Sequence, residues 1–557
     1  MLVSGVLLVV LGSKLSFLLD DWTYILGRRG FNADAFLAPD NEHLVAGPVA
    51  LWQLLLNTFG MGSVLPFRIV STALFLLGAW FLFVWIRRRL GEWPALIATL
   101  PMLFLGAAFD DFLWLAAAFP FLAGMACGLG MLVALDRRDR LGDQLACAWL
   151  IGATAFSSLW IAFAAGAAVD IFLRRHDRRW QSRAYVVLVP LALYAIWWLG
   201  WGRDGGSSLT LENAATMPRF VLDSFSAAVA ALFGLATPVE GITSPAGLEW
   251  GRPLAVLLGA LAAWRLYRLE RIPRSLWVVL TVVLAYWVLS GLAVKPGRTP
   301  WESRYQYPGA ALVLLVAAEL LRGVKLDRRL LAPALIVLAT AVASNVLFLE
   351  LSYKSYRDTS QIERADLAAL EIARDSVPPD FVLSEELADT GYVAVEAGPY
   401  LSARDAYGSP GYSAAELAKA PAKARVPADK VLAASLGIAL VPAPGTAGGA
   451  GPPPRLVSPA SAGLGADGSC LTVGVSAATP TVVSLPPGGA LLRPRSGAST
   501  QVSLRRFADS FPVELGSLPG RGWSEIAIPT DRSRKPWQAQ LTGSGPITVC
   551  GSAKRAP

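Results

Sequence analysis

The sequence has few charged residues and few of the side chains that most often bind transition metals. Only 16% of its 557 residues are charged, against roughly a quarter in an ordinary soluble protein. There are two histidines and four cysteines, and none of them follow the spacing of a zinc site. These shortages exclude an average soluble protein and a zinc-finger protein. The net charge of +8 does not indicate nucleic-acid binding, because most basic residues lie in short clusters between apolar segments.

Long hydrophobic runs are abundant and are concentrated in residues 1–349. A membrane-spanning helix needs about 20 apolar residues. The stretch 145–173 exceeds one span, so we predict two shorter helices, 145–156 and 159–173, with a break between them. The sequence thus predicts about eleven membrane helices, the others being 1–19, 64–86, 94–109, 112–135, 184–201, 251–268, 276–294, 306–322 and 331–349.

Basic connections between these segments predict the orientation. Five of them fall on one side of the membrane, which is the cytoplasmic side by the positive-inside rule, and they are 87–92, 136–143, 174–183, 265–274 and 322–329. The N-terminus is then cytoplasmic and the C-terminal region is extracytoplasmic. The first segment has no basic flank and no A-x-A cleavage site, so we expect a retained span. The excess of arginine over lysine is typical of a high-GC bacterium, which indicates a multi-pass protein of the bacterial plasma membrane.

The C-terminal region is predicted to be soluble and divided into parts. Residues 350–440 form an extracytoplasmic α/β connecting region, and the Pro/Gly/Ala-rich stretch 441–469 reads as a linker. Residues 470–557 contain short alternating strands separated by turns, which is typical of an antiparallel β-sandwich. Cys470 and Cys550 lie near its two ends, and in an oxidising compartment they are expected to form a disulfide.

Three polar features lie at the outer ends of the apolar segments. Asp20 and Asp21 follow the first segment, and Asp110 and Asp111 follow the third. The third feature is a basic, aromatic stretch at 295–309, whose candidate phosphate-binding residues are Lys295, Arg298, Arg304, Tyr305 and Tyr307. Each feature alone fits a solvated helix end or contact with lipid headgroups. Their coincidence on one side, away from the cytoplasm, favours a functional site.

This combination fits transfer of a sugar from a lipid-linked phosphate. Arginine binds phosphate through two parallel hydrogen bonds, and a carboxylate can accept the proton of an attacking hydroxyl. The second acidic pair is a candidate for orienting the acceptor or for holding a divalent metal such as Mg²⁺ or Mn²⁺. Glu42 and His43 are further candidates for positioning substrate or acceptor, with a solvated loop as the alternative.

The sequence resembles the GT-C superfamily of membrane glycosyltransferases, which includes protein O-mannosyltransferases, aminoarabinose transferases and actinobacterial arabinofuranosyltransferases. The resemblance covers about residues 1–350. It lies in the acidic pair after the first segment, in "NEHLVAGPVALWQLLLNTFG" and "LPFRIVS", in the acidic second outer loop, and in "SRYQYPG" before a late helix. The chain departs from the family in having a compact first outer loop and no extended D-x-D motif, which leaves the metal requirement open.

The resemblance implies an inverting, polyprenyl-phosphate-dependent glycosyltransferase with a polytopic helical fold. Asp20 or Asp21 would match the catalytic base. Asp110 and Asp111 would match acids that bind metal or position substrate in some relatives, and Arg304 would match a phosphate-contacting residue. The expected partners are membrane lipid, the sugar donor, and a glycan or protein acceptor of the cell envelope.

Two other functions remain open from the sequence. One is a transporter or flippase for lipid-linked sugars, although the internal repeats common in such folds are not evident. The other is a non-catalytic assembly protein of the envelope whose outer domain binds glycan.

Overall fold

The computed structural model of the chain divides into two units. The first unit comprises Met1–Phe17, Thr23–Phe59 and Val64–Arg357, and the second comprises Leu18–Trp22, Gly60–Ser63 and Asp358–Pro557. The structure describes residues 1–174, 180–206, 208, 210–236, 246–295, 298–324, 329, 331–383, 395–443, 451–496, 499–520 and 522–552.

The first unit is helical. In chain order its α-helices are α1 Leu2–Gly12, α2 Ala33–Leu37, α3 Ala46–Phe59, α4 Leu65–Leu90, α5 Glu92–Leu103, α6 Phe109–Leu113, α7 Leu115–Leu135, α8 Arg140–Phe156, α9 Leu159–Leu173, α10 Tyr185–Gly200, α11 Leu211–Leu232, α12 Ala246–Arg268, α13 Arg274–Leu292, α14 Ser303–Leu320 and α15 Leu331–Ala373, the last of which continues into the second unit. A π-helical turn, Thr23–Gly27, precedes α2.

Several of these helices are long and apolar enough to cross a membrane. Within the described residues four qualify singly, which are α4, α7, α13 and Ala332–Ala373 of α15. Helix α5 and the segment Gly106–Leu113 qualify as a pair bent by 46°. Every predicted apolar segment overlaps one of the helices. The predicted class is therefore confirmed as a membrane protein of apolar helices with a β-rich C-terminal part.

The predicted break in the stretch 145–173 is present. Helix α8 ends at Phe156 and α9 begins at Leu159. Ser157 between them has extended backbone, with φ −161° and ψ 147°, and its hydroxyl accepts a hydrogen bond from the Leu159 amide at 3.4 Å. Serine competes for backbone hydrogen bonds in this way and therefore favours helix ends over helix interiors.

The predicted length of the first helix, residues 1–19, is wrong. Helix α1 ends at Gly12, and residues 15–18 are irregular. Gly12 packs so closely on Arg68 of α4 that a Cβ atom would lie 2.7 Å from the arginine Cδ. Asp20 and Asp21 consequently do not terminate a continuous rigid helix.

The second unit contains helices and two antiparallel sheets. Its helices after α15 are Ala397–Tyr407, Ala414–Leu417 and Ala422–Ser435. Its strands are β1 Val382–Leu383, β2 Val395–Glu396, β3 Leu440–Ala443, β4 Arg455–Ser458, β5 Gly463–Asp467, β6 Cys470–Val475, β7 Thr481–Ser484, β8 Gly488–Pro494, β9 Thr500–Arg505, β10 Val513–Leu518, β11 Trp523–Ile528, β12 Gln538–Thr542 and β13 Gly545–Gly551.

Strands β3 to β13 form the two sheets of the predicted sandwich. The described strands pair in the orders β10-β9-β12-β7-β4 and β3-β11-β8-β13-β6-β5. Cys470 on β6 lies opposite Cys550 on β13, and the predicted disulfide joins them. Strands β4 and β5 lie within the stretch that the sequence predicts as a linker, so the sheets begin before residue 470.

Candidate functional site

The first acidic pair lies in the segment Leu18–Trp22 of the second unit, and its two members differ sharply in exposure. Asp20 is exposed to solvent, whereas Asp21 is fully buried. The Leu18 amide donates a hydrogen bond to Asp21 Oδ2 at 2.9 Å, and the Asp21 amide donates to the Leu18 carbonyl at 2.9 Å. Asp21 therefore closes a tight local turn. Asp20 is the member of the pair whose carboxylate is accessible from solvent.

The turn continues into buried residues of the second unit. Trp22 is 1% exposed, and its indole N–H donates a hydrogen bond to Glu363 Oε1 on α15. The ring also packs edge-on against Tyr400, with the centroids 5.8 Å apart. The segment that carries Asp20 is thus fixed by the hydrogen bonds between Asp21 and Leu18 and by the contacts of Trp22.

The second acidic pair lies in the first turn of α6, within the first unit. Tyr356 of α15 donates a hydrogen bond to Asp110 Oδ1 at 2.6 Å. The Asp110 amide donates to Ser303 Oγ at 2.9 Å, which joins α6 to the start of α14. Arg304 lies close enough to attract the Asp110 carboxylate. Asp110 is therefore held by hydrogen bonds on two sides and by one nearby cation.

Asp111 is fully buried, and its two carboxylate oxygens accept no hydrogen bond from the described residues. Adjacent residues of a helix point about 100° apart, so Asp110 and Asp111 do not converge on one ion. Within the described part of the chain, no group of three or more His, Cys, Asp or Glu side chains is arranged to hold a metal. Asp110 and Asp111 alone do not form a complete metal site, and the divalent metal predicted from the sequence stays a prediction.

The basic stretch before α14 is joined to this acidic pair through Arg304. The Arg304 guanidinium donates to Glu302 Oε2 through both Nε, at 2.8 Å, and Nη2, at 2.5 Å. Arg298 contributes a hydrogen bond to the neighbouring Tyr305 side chain. Arg304 therefore lies between Asp110 and the Glu302 carboxylate that it already binds, and Arg298 lies beside Tyr305.

Tyr307 lies elsewhere. Its side chain is 1% exposed, and its ring packs against Phe75 and Phe112 at centroid distances of 5.6 and 6.2 Å. The tyrosine belongs to the apolar core between α4, α6 and α14. The structure does not bring it into the cleft described below.

Glu42 and His43 form a second polar cluster of the first unit. Lys295 Nζ lies 3.8 Å from Glu42 Oε1 and donates to Asn41 Oδ1 at 3.1 Å. Asn41 and Glu42 have positive φ values of 46° and 72°, which are uncommon for non-glycine residues. This backbone conformation places Lys295 and the Glu42 carboxylate side by side.

Burial and hydrogen bonding set the charges of this cluster. Burial acts to raise the pKa of Glu42, but hydrogen bonds from Ser208 and the charge of Lys295 outweigh burial, and the pKa lies below its usual value. Burial lowers the pKa of His43, which favours the neutral form of its imidazole. His43 Nδ1 lies 2.8 Å from the hydroxyl of Ser158, which is in the break between α8 and α9.

A cleft of about 840 Å³ lies in the first unit between α11, the start of α12 and the stretch before α14. Phe220, Trp301 and other apolar residues line most of its wall, and Arg298 lies in the same wall. Arg252 also lines the cleft and forms two hydrogen bonds with Asp223, at 2.8 and 3.0 Å. The cleft therefore combines apolar surface with arginine, and Arg298 connects it to Tyr305.

Sequence reasoning misses several partners of the candidate residues. Glu302 lies between Arg298 and Arg304 in the sequence, so its contact with Arg304 could have been predicted. Tyr356, Ser158 and Glu363 lie far along the chain from Asp110, His43 and Trp22, at separations of 246, 115 and 341 residues. No local pattern in the sequence marks those three contacts.

No family model and no curated protein matches the chain. Among solved structures, it is similar to ArnT from Cupriavidus metallidurans, a crystal structure bound to undecaprenyl phosphate, with a TM-score of 0.44 and 14% identity over 74% of this chain and 84% of that one. It is also similar to the arabinosyltransferase EmbB from Mycobacterium smegmatis, with a TM-score of 0.34 and 11% identity over 99% of this chain and 64% of that one. The chain thus spans less than two thirds of EmbB.

Proposed function

We propose that the chain is a glycosyltransferase that moves a sugar from a polyprenyl-phosphate donor to an acceptor of the bacterial cell envelope, on the outer face of the plasma membrane. The observation that carries the proposal is the cleft that contains Arg298 and Trp301 in the first unit. Its volume of about 840 Å³ is within the range of sites for organic ligands. Its mixture of apolar wall and arginine suits a ligand that is part isoprenoid and part phosphate.

The chemistry of the lining residues explains this choice of donor. A phosphate group accepts two hydrogen bonds from a guanidinium fork, and Arg298 offers such a fork in a largely apolar wall. Trp301 presents an aromatic surface that suits a prenyl chain or the apolar face of a sugar. Lys295 is a second cation three residues before Arg298 in the chain, and it lies 3.8 Å from Glu42 Oε1. A phosphate would supply Arg298 with an anionic partner that a neutral lipid lacks.

The proposed reaction is a displacement at the anomeric carbon of the donor sugar. The acceptor hydroxyl oxygen forms a bond to that carbon, and the bond from the carbon to the phosphate oxygen breaks. The electron pair of that bond leaves with the polyprenyl phosphate, whose added negative charge arginine stabilises. A carboxylate accepts the hydroxyl proton. We assign that role to Asp20, because it is exposed whereas Asp21 is buried and committed to the Leu18 amide.

The experiment that tests this proposal combines identification of the donor with a transfer assay. Protein purified in native membrane nanodiscs is extracted and analysed by mass spectrometry for bound polyprenyl-phosphate sugars. The identified donor is then used to measure transfer by the wild type and by Arg298→Ala, with Arg271→Ala, an exposed arginine between α12 and α13, as the matched control. Loss of one guanidinium–phosphate contact predicts about a tenfold or greater rise in donor KM for Arg298→Ala alone.

Other results would favour the two alternative functions. Movement of a lipid-linked sugar across proteoliposome membranes, with no transfer of the sugar, would support a transporter. Tight binding of envelope glycan with neither transport nor transfer would support an assembly protein. If Arg298→Ala and the wild type had equal donor KM values, Arg298 would not bind the donor phosphate, and the cleft would not be the donor site.

A further inference from the structure

Trp22 has an unusual hydrogen-bond acceptor for a buried indole. Its N–H group donates to a carboxylate, Glu363 Oε1, rather than to a neutral carbonyl. Both side chains are 1% exposed. The two residues are 341 positions apart in the chain, so the contact joins the short segment Leu18–Trp22 to α15 within the second unit.

The carboxylate is costly where it lies. Burial of a polar group costs free energy unless the group is hydrogen-bonded, yet Glu363 Oε2 makes no hydrogen bond with the described residues. Asp366, one turn further along α15, and Asp21 are also fully buried, and Asp21 lies close enough to Glu363 to interact with it electrostatically. A buried carboxyl group is therefore retained at position 363 beside two other buried acids, and the Trp22 indole is its hydrogen-bond donor.

A second contact holds the same indole in place. Tyr400 is fully buried and packs its ring edge-on against Trp22. The Tyr400 hydroxyl donates to Glu371 Oε1 at 2.7 Å, and Glu371 also accepts from Ser409 at 2.5 Å. The ring that packs on Trp22 is therefore itself fixed by a hydrogen-bond network, and the segment has little room to shift.

We propose that Glu363 is a positioning residue, which fixes the segment Leu18–Trp22 through the Trp22 indole and so holds the Asp20 carboxylate in the geometry that transfer requires. This inference rests on the proposed function for its catalytic consequence. Its structural consequence is independent of that function. Asp20 lies two residues from Trp22, so the contacts of Asp21 and Trp22 restrict the backbone next to it.

The test compares substitutions that remove the hydrogen bond with one that retains it. Glu363→Leu removes the acceptor, Trp22→Phe removes the donor but keeps an aromatic ring, and Glu363→Gln keeps an acceptor oxygen. Misplacement of a reacting group by about 1 Å costs about 10²-fold in rate, so the first two variants should lower kcat about 10²-fold with donor KM unchanged. Glu363→Gln should keep a kcat close to that of the wild type, because its amide oxygen can still accept the indole hydrogen bond. Glu350→Leu, at an exposed position of the same helix, is the matched control.

Hydrogen exchange measured by mass spectrometry on the full-length protein gives a readout without activity. Amide exchange in the peptide that contains Leu18–Trp22 should be about tenfold faster in Glu363→Leu and in Trp22→Phe than in the wild type, which corresponds to loss of one hydrogen bond. Glu350→Leu and Glu363→Gln should exchange like the wild type. A double variant, Trp22→Phe with Glu363→Leu, should exchange no faster than either single variant, because both substitutions remove the same hydrogen bond.

The outcomes separate this inference from the proposed function. Unchanged exchange and unchanged kcat in Trp22→Phe would overturn the positioning role, even if Glu363→Leu fails to fold. Faster exchange in both variants, in a protein whose wild type transfers no sugar from any donor tested, would overturn the proposed function while the structural role of Glu363 stands. Faster exchange with unchanged kcat would overturn the link between this contact and catalysis.

Discussion

Separate substitution of the two acids of the first pair should have opposite consequences. Asp20→Asn changes an exposed carboxylate to a neutral amide of the same shape. Removal of a general base typically lowers the rate by about 10²–10⁴-fold. We therefore expect near-complete loss of kcat in Asp20→Asn, with unchanged donor binding and an unchanged melting temperature.

Asp21→Asn should mainly affect stability. Asp21 is fully buried and accepts the Leu18 amide at 2.9 Å. A hydrogen bond to an ionised acceptor is worth about 1.5–3 kcal/mol and a neutral one about 0.5–1.5 kcal/mol, so the change costs about 1 kcal/mol if the asparagine oxygen takes over as acceptor. For a unit of about 200 residues this corresponds to a fall in melting temperature of about 2–4 °C.

The assay measures both variants in the same preparation. Transfer from the identified donor gives kcat and donor KM, and thermal unfolding of the purified protein gives the melting temperature. The reasoning is refuted if Asp20→Asn retains wild-type turnover, because the exposed member of the pair would then have no catalytic role. It is also refuted if Asp21→Asn is inactive while its melting temperature and its exchange at Leu18 are those of the wild type.

Four further predictions follow from other features. Cys470→Ser should lower the stability of the second unit under oxidising conditions by about 4–5 kcal/mol in the chain-entropy model for a closed loop of this length, as measured by denaturant unfolding; equal unfolding with and without reductant in the wild type would contradict it. Arg304→Ala should raise donor KM, and Arg304→Lys should restore it only in part because an ammonium group lacks the guanidinium fork; full rescue would indicate simple charge attraction. Alkaline phosphatase fused after residue 360 should be active and after residue 140 inactive, and the reverse pattern would invert the orientation. Dialysis against EDTA should leave transfer unchanged, whereas loss of activity restored by Mg²⁺ or Mn²⁺ would show a metal requirement.

The positions of the helices could be predicted from the sequence because membrane insertion depends on composition over about 20 residues, a property that a local window measures. The break at Ser157 was equally visible, since the apolar stretch was too long for one span. The end of α1 at Gly12 was not predicted, because the apolar residues continue to Leu19 and because the close contact of Gly12 is with Arg68, which lies 56 positions later. A tertiary contact of that kind leaves no trace in local hydrophobicity.

The β-rich region shows the same division between local and long-range information. The alternation of apolar and polar residues predicted most of the strands after Cys470. Strands β4 and β5 lie in a stretch rich in proline and glycine, and they are defined by pairing with β7 and β6 rather than by their own propensity. For the candidate site, the residue types were predictable, but the hydrogen bonds from Tyr356 to Asp110 and from Trp22 to Glu363 depend on the folded chain.

The ion pair between Arg304 and Glu302 has a consequence for ligand exchange. If the donor phosphate binds Arg304, it must first displace a carboxylate that is two residues away in the chain and therefore present at a high effective concentration. Glu302 would lower the affinity for donor, but it would also reoccupy Arg304 as soon as the spent polyprenyl phosphate begins to leave. An internal competitor of this kind speeds product release and limits inhibition by product. Glu302→Gln should accordingly lower donor KM, and it should slow turnover whenever release of polyprenyl phosphate is the slowest step.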